Sequence, residues 1–433
     1  MIDLVLRADR VLIDGEIRPA ALAVARGFVV DVGGRDAGYD TRADVAVPAS
    51  AVLLPGFVDT HVHVSEPGPD WEGFATATEA AARGGITTLV DMPLDSLPVT
   101  TTVAALNTKK AVAQGRCRIA VGYWGGVVPE NVGALRPLAD AGVRGFKCFL
   151  ADSGNPHFGH LTPEEFAAAA REIADLGSVL LVHAEDHAVL ARSAPPSGRS
   201  YLSFLESRPA AAEAHAVELA VAVARATGAR LHIVHVSSVA AVRILAAAKA
   251  EGVVVTAETC PHYLTFTAND IPTGGTQFAA CPPIRSEDDR DALWSGLADG
   301  TLDMVVSDHS PCAPELKGAG DFGVAFGGVS SLQVSPRAVW TQAASRGFGL
   351  AELSRWMSER PARLAGWTDR GGIVVGARAD LCAFDPDAFE SVAAAHLRHR
   401  HPLTPYDGMA LRGRVVGTWV EGKPVYEAAG VAA

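Results

Sequence analysis

Closely spaced cysteines are absent from this 433-residue chain. The six present, Cys117, Cys148, Cys260, Cys281, Cys312 and Cys382, stand far apart with no C-x-x-C pair, and several fall within apolar strand-like runs. That pattern suits reduced thiols in a cytosolic enzyme and excludes a disulfide framework. Basic clusters are absent too. With 37 Lys and Arg against 49 Asp and Glu, a formal net charge of −12, the chain lacks the surface that nucleic acid or an anionic membrane requires. The opening MIDLVLRADRVLIDGEI carries a charge every few residues, where a signal peptide needs an apolar core. No uncharged stretch of about 18 residues suggests a membrane span. A cytoplasmic protein with no nucleic-acid and no membrane partner is the expectation.

What is present is a long chain with 48% hydrophobic residues, enough for one large core and a smaller one. The first 50 residues hold short β-rich runs, LVLRADRVLI, GEIRPAALAV and GFVVDV, and the last 60 repeat that texture in GGIVVGARADLCAFD, GRVVGTWVEG and KPVYE. Two all-β ends around a different middle predict a small β-sandwich domain assembled from residues 1–52 and 372–433. Between them eight apolar runs can be counted, at 53–64, 86–92, 117–123, 143–150, 179–185, 231–237, 253–258 and 302–309. Amphipathic or Ala-rich segments such as TPEEFAAAAREIADLG and SVAAVRILAAAKAEG follow them. Eight strand-then-helix units predict an α/β fold, a (β/α)8 TIM barrel over 53–371. The rival, an open doubly wound sheet, is disfavoured because no G-x-G-x-x-G follows the first strand.

A barrel of this kind carries its active site at the C-terminal ends of the strands, so polar residues that end apolar runs are the ones to collect. His61 and His63 end the first run, Lys147 lies late in the fourth, His183 ends the fifth, His235 the sixth and Asp308 the eighth. Two histidines two apart on a strand share a face and can grip one ion. A lone strand histidine is more often a hydrogen-bonded core residue. Four of them with an aspartate at four strand ends are a metal-ligand set. Lys147, in FKCFL, faces a large desolvation cost as an ammonium ion, and neighbouring cations would push its pKa down further. A neutral amine reacts with carbon dioxide to give a carbamate whose two oxygens can bridge two metals. The alternative is a lysine that snorkels to the rim. Asp308, in VVSDHSPC, is a ligand, a general base or both; its other reading is a helix N-cap. Two metals sharing a hydroxide would supply a nucleophile near neutral pH and polarise a scissile carbonyl, with Asp308 moving the proton. Hydrolysis of an amide-like bond is the predicted chemistry.

At these residues the chain resembles the amidohydrolase superfamily, in the cyclic amidohydrolase branch of dihydroorotases, hydantoinases and allantoinases. PGFVDTHVHVSEPG, GFKCFL, LVHAE, HIVHVSS, ETCPHYL, CPPIR and VVSDHSPC occur in that family's order and run nearly end to end. Within the branch SEPGPDWEGFATAT, DMPLDSLPVTT, GFKCFLADSG, VVSDHSPCAPELK and HRHPLTPYDG look most like allantoinases, which open the hydantoin ring of allantoin to allantoate. The resemblance implies metal ligands His61, His63, Lys147 (carboxylated), His183, His235 and Asp308, two divalent metal ions, usually zinc, carbon dioxide as the Lys147 carbamate, and a homotetramer acting on a small cyclic ureide. It also implies Ser65, Cys281 and the backbone at Gly328 as substrate contacts.

Dihydroorotases typically carry Arg at position 65, to hold a substrate carboxylate bidentately, and hydantoinases commonly carry Tyr where Asp152 stands, as an oxyanion donor. Neither is present, so a neutral ring other than theirs is the expectation. The chain departs from the allantoinase pattern at Asp95, where Asn is common, and at Val329–Ser331, where a Gly-Ala-Gly-like stretch is expected. Homologues that serve as non-catalytic scaffolds usually lack one or more ligands, whereas all six are present here.

Overall fold

The computed structural model describes residues 1–428. The chain opens with β1 (Leu4–Ile13), β2 (Glu16–Ala25), β3 (Phe28–Gly33), β4 (Asp44–Ala46) and β5 (Val52–Pro55). The middle supplies β6 (Phe57–Val62), β7 (Ile86–Asp91), β8 (Ala120–Tyr123), β9 (Gly125–Gly126), β10 (Phe146–Phe149), β11 (Val179–His183), β12 (Arg230–Ile233), β13 (Val255–Thr259) and β14 (Met304–Val305). The chain then returns through β15 (Leu381–Ser391), β16 (Ala410–Val420) and β17 (Lys423–Glu427) to join the first five strands in one eight-stranded sheet, ordered β17-β16-β15-β5-β1-β2-β3 with β4 also on β1.

Three hairpins of that sheet turn on a residue followed by glycine, Asp14-Gly15, Arg26-Gly27 and Glu421-Gly422, each with positive φ at both positions. Two-residue loops need that left-handed pair to match strand twist, and glycine supplies its second half without strain.

The middle strands are parallel. β6 pairs with β7 and β7 with β8; β9 through β14 pair in sequence. Two links join these sets into a ring: Arg144 N donates to Tyr123 O beside β8, and His63 N donates to His309 O (2.8 Å) next to the parallel bridge between Val62 and His309. β6, β7, β10 and β11 are buried along their whole length, as parallel strands covered by helices must be. Helices such as Phe74–Arg83, Pro163–Asp175, Ala210–Thr227 and Val239–Ala250 provide the cover. Thr162 and Glu165 close a reciprocal capping box at the second of these, satisfying amides that the first turn leaves without partners. None of the described helices is long and apolar enough to cross a membrane.

The run at 53–64 is two strands. Gly56 separates them, and a Cβ there would stand 2.3 Å from Thr87. Its first half, β5, pairs with β1 and β15, and its second half opens the barrel. Side-chain alternation along β5 and β15 feeds two cores at once: Leu53, Leu381 and Ala383 enter the small core, whereas Val52, Leu54, Cys382 and Phe384 pack into the large one.

Candidate active site

His61, His63, Lys147, His183, His235 and Asp308 line a single cavity of about 550 Å³, together with Asp95, Phe149, Arg208, Cys281 and the backbone of Phe326, Gly327 and Gly328. All six candidate ligands are less than 9% exposed. The His61 ring lies 5.6 Å from that of His63 and 5.4 Å from that of His235, which is 4.6 Å from His183. Two of the polar strand ends sit in left-handed backbone, His235 at φ 41° and Asp308 at φ 44°. Such conformations cost about 1–3 kcal/mol each and persist where surrounding structure enforces them, often at functional sites.

The hydrogen bonds fix the ring tautomers. Glu258 Oε1 lies 2.5 Å from His61 Nδ1, and Asp95 Oδ2 lies 3.0 Å from His63 Nδ1. Each carboxylate accepts, so each Nδ1 carries the proton and leaves its Nε2 lone pair free. Those two lone pairs face Asp308 Oδ1 at 3.2 Å and 3.7 Å. Acceptors facing an acceptor inside a buried site are repulsive unless a cation lies among them, and N/O donors of this kind suit zinc-like ions. His183 Nε2 donates to Glu185 Oε2 (2.8 Å), which leaves its Nδ1 lone pair free. His235 Nδ1 is buried with no hydrogen-bond partner among the described residues. Donor atoms of His61, His63 and Asp308 lie within 4.8 Å of one another. The residues therefore fit a bound divalent metal.

Burial lowers the pKa of His61 and His183 and takes that of His235 well below the usual value, keeping them neutral and able to ligate. The Lys147 ammonium nitrogen lies 5.0 Å over the Phe149 ring and has no ion pair among the described residues. Burial brings its pKa down to about 8.

Several contributors were not singled out from the sequence. Glu258 is the next-to-last residue of β13 and accepts from both His61 Nδ1 and His232 Nε2 (2.9 Å). Burial would raise its carboxyl, but the two histidines reverse this and hold it at about 2. Glu185, two residues after His183, is gripped by Arg208 through two bonds at 3.1 Å and 2.5 Å. Burial opposes its ionisation, and Arg208 with His183 still keeps it well below the usual carboxylate range. Asp59 accepts from His61 N (3.1 Å) and Ser307 N, tying the first strand to the eighth. The visible signal was a carboxylate within two residues of a ligand, in DTHVH and LVHAE, or at a strand end, in VVVTAE. Cys260 and His262, from ETCPHYL, also bring donor atoms within 4.8 Å of Asp308.

The three expected substrate contacts divide. Cys281 and Gly328 line the cavity. Gly328 N donates to Ala279 O (2.6 Å) and its carbonyl accepts from Lys317 Nζ (2.6 Å), so its amide hydrogen is already committed. Ser65 does not line the cavity: it occupies a left-handed turn (φ 58°) with a buried hydroxyl that has no partner among the described residues. Asp95 and Asp152 both line the cavity, the first as the acceptor for His63 and the second exposed at the rim. Val329–Ser331 lies behind the wall, where Ser331 N donates to His309 Nδ1 (3.1 Å) and Ser331 Oγ to Ser307 O.

Known proteins are similar to this chain over most or all of its length. The chain is 50% identical over 98% of its length to the allantoinase of Streptomyces avermitilis, covering 95% of that protein. It is 43% identical over 84% of its length to the mitochondrial allantoinase of Aquarana catesbeiana, covering 75% of it. Its fold superposes on L-hydantoinase (dihydropyrimidinase) from Arthrobacter aurescens with a TM-score of 0.93 and 31% identity, covering 100% of this chain and 98% of that one. The model of the Amidohydrolase family matches residues 52–425. With the parallel strands β6 to β14 around a buried histidine and aspartate cluster, and with a family match that spans both β5 and β16, this chain belongs to the amidohydrolase family.

Proposed function

We propose that the chain is an allantoinase, hydrolysing the ring amide of allantoin to give allantoate. The carrying observation is that relatives sharing up to half its residues over nearly its full length are allantoinases. Local chemistry supports the choice over other cyclic ureides. Ser65 provides no charge for the carboxylate of a dihydroorotate-like ring, and Asp152 cannot donate to an oxyanion as a phenol would. The hydantoinase likeness makes hydantoin opening the second reading.

His61, His63, His183, His235, Asp308 and a carboxylated Lys147 would hold two divalent ions, zinc in this proposal. In the carboxylation the neutral Lys147 amine attacks carbon dioxide, a nitrogen–carbon bond forms and a proton leaves, which a buried amine with a lowered pKa favours. Bound metals would supply Lewis acidity, polarising the ring carbonyl and making water more acidic. The residues do the rest. Asp308 takes the proton of the attacking water and returns it to the ring nitrogen as that bond breaks. Its Oδ1 accepts from Ser310 Oγ (3.0 Å), which orients the carboxylate. Glu258, Asp95 and Glu185 hold the rings of His61, His63 and His183 in the ligating tautomer. A homotetramer, which rests on the resemblance to the branch, and a cytoplasmic setting, which rests on the scattered cysteines, are part of the proposal; light scattering of the purified protein measures the first.

A side-by-side panel tests the substrate. Allantoin should exceed hydantoin, dihydrouracil and dihydroorotate by about tenfold or more in kcat/KM, the discrimination that a few lost polar contacts produce. A panel led by dihydroorotate or dihydrouracil overturns the assignment.

A further inference from the structure

Lys317 is a buried ammonium that none of the chemistry above uses. It sits in the 3-10 turn Pro314–Gly320 of the long loop after β14, only 7% exposed, and no carboxylate pairs with it among the described residues. It donates instead to two backbone carbonyls, Phe326 O at 2.8 Å and Gly328 O at 2.6 Å. Those carbonyls flank Gly327, and all three residues line the cavity. One ammonium therefore sets two peptide planes of a wall that has little side chain to present.

The wall cannot easily be built otherwise. A Cβ at Gly327 would meet Cys281 Sγ at 2.8 Å, and one at Gly328 would meet Ser310 O at 2.2 Å. Backbone bonds anchor the same stretch, Phe326 N to Leu316 O (2.7 Å) and Gly328 N to Ala279 O (2.6 Å), while Thr276 Oγ1 holds the carbonyl of Lys317 itself (2.8 Å). The Phe326 ring packs 4.7 Å from Trp71, so the latch also registers the loop after β14 against the loop after β6. Burying an ammonium without a counter-charge costs several kcal/mol, and an apolar residue would tie a surface loop down at lower cost. What the ammonium adds is a fixed orientation of the two peptide planes that flank Gly327 in the cavity wall. Burial lowers its pKa to about 8, and the amine keeps N–H donors in either protonation state.

We propose that Lys317 is a positioning residue for substrate recognition, whose two bonds fix the Phe326–Gly328 backbone as the wall that reads the ring amide of a cyclic ureide. The proposal rests on the cyclic-ureide reading of the site above. A wall met equally by ground state and transition state contributes uniform binding, so its loss appears in KM and leaves kcat nearly untouched.

The test compares K317M and K317R with the wild type as metal-loaded full-length enzyme, measuring metal content, melting temperature, kcat and KM. K317M should keep wild-type metal content and a kcat within about threefold, with KM raised about tenfold or more; K317R, which retains N–H donors, should recover most of that KM. Should K317M fail to fold, K317L, which also lacks a donor, replaces it under the same criteria. A KM at the wild-type value in the folded variant overturns the proposal. So does a loss of activity that merely follows lost metal or lost folded protein, or a K317R as impaired in KM as K317M. The measurements use whichever cyclic ureide the wild type opens, so a failure of the allantoin assignment shows in the wild type and a failure of the latch only in the variants.

Discussion

Three of the four candidate histidine ligands are each held by a carboxylate outside the candidate ligand set: His61 by Glu258, His63 by Asp95 and His183 by Glu185. The carboxylate selects which nitrogen is protonated and raises the basicity of the other, as partners of metal ligands commonly do. Asp95 shows why the departure from asparagine is tolerable, since an aspartate accepts from the ring as well as a side-chain amide oxygen does. Lys147 has no such partner. Buried over Phe149 in the histidine-lined cavity, its ammonium form makes no ion pair among the described residues, and a carbamate anion would offer the cluster a bridging charge. Lys147→Ala should therefore abolish turnover and lower metal content, and short carboxylic acids at high concentration should restore part of the activity by supplying the missing oxygens. Activity near wild type in the variant, assayed with metal quantified, refutes the bridging role.

The elements deliver these residues by one device, an apolar parallel strand that ends in a polar residue. Strand β10 shows how little slack it has. Gly145 precedes it at φ 152°, and a Cβ there would lie 2.8 Å from Val179 O and 2.9 Å from the Trp124 ring. Gly145→Ala combines backbone strain with an unavoidable overlap, and about 3 kcal/mol of lost stability is expected in urea denaturation, with reduced metal content because Lys147 follows two residues later. An alanine variant as stable as the wild type contradicts this geometry. The eight apolar runs and their polar ends were legible in the sequence because the barrel strands are largely buried on both faces and so stay mostly apolar. Three features were not legible. The break at Gly56 divides a continuous apolar run, and only pairing with β15 separates its halves. The Glu258 to His61 bond spans 197 residues, so a carboxylate at the strand end in VVVTAE is visible but the ring it meets is not. Ser65 stands where an arginine would hold a substrate carboxylate, and nothing in the residue type announces the left-handed turn that hides its hydroxyl.

At the scale of the whole molecule, the candidate ligands tie the barrel together. They come from β6, β10, β11 and the loops after β6, β12 and β14, so bound metal would join segments from residue 61 to residue 308. The unfolded chain has no such site, and binding that favours only the native state adds stability of RT ln(1 + [M]/Kd), about 4 kcal/mol when free metal is a thousandfold above Kd. Unfolding entropy near about 2 cal/mol/K per residue makes this a shift of about 4–5 °C for a chain of this length. The small core gives no independent refuge, because β5 and β15 place alternate side chains in both cores. Chelation followed by removal of the metal should thus lower the melting temperature of the whole protein by about that amount, and zinc should restore it. The same treatment of Lys147→Ala should give a smaller shift, since one ligand is already gone. Calorimetry on metal-quantified samples decides the matter: an apoprotein that melts with the holoprotein would mean that these six residues are held in place by the fold alone.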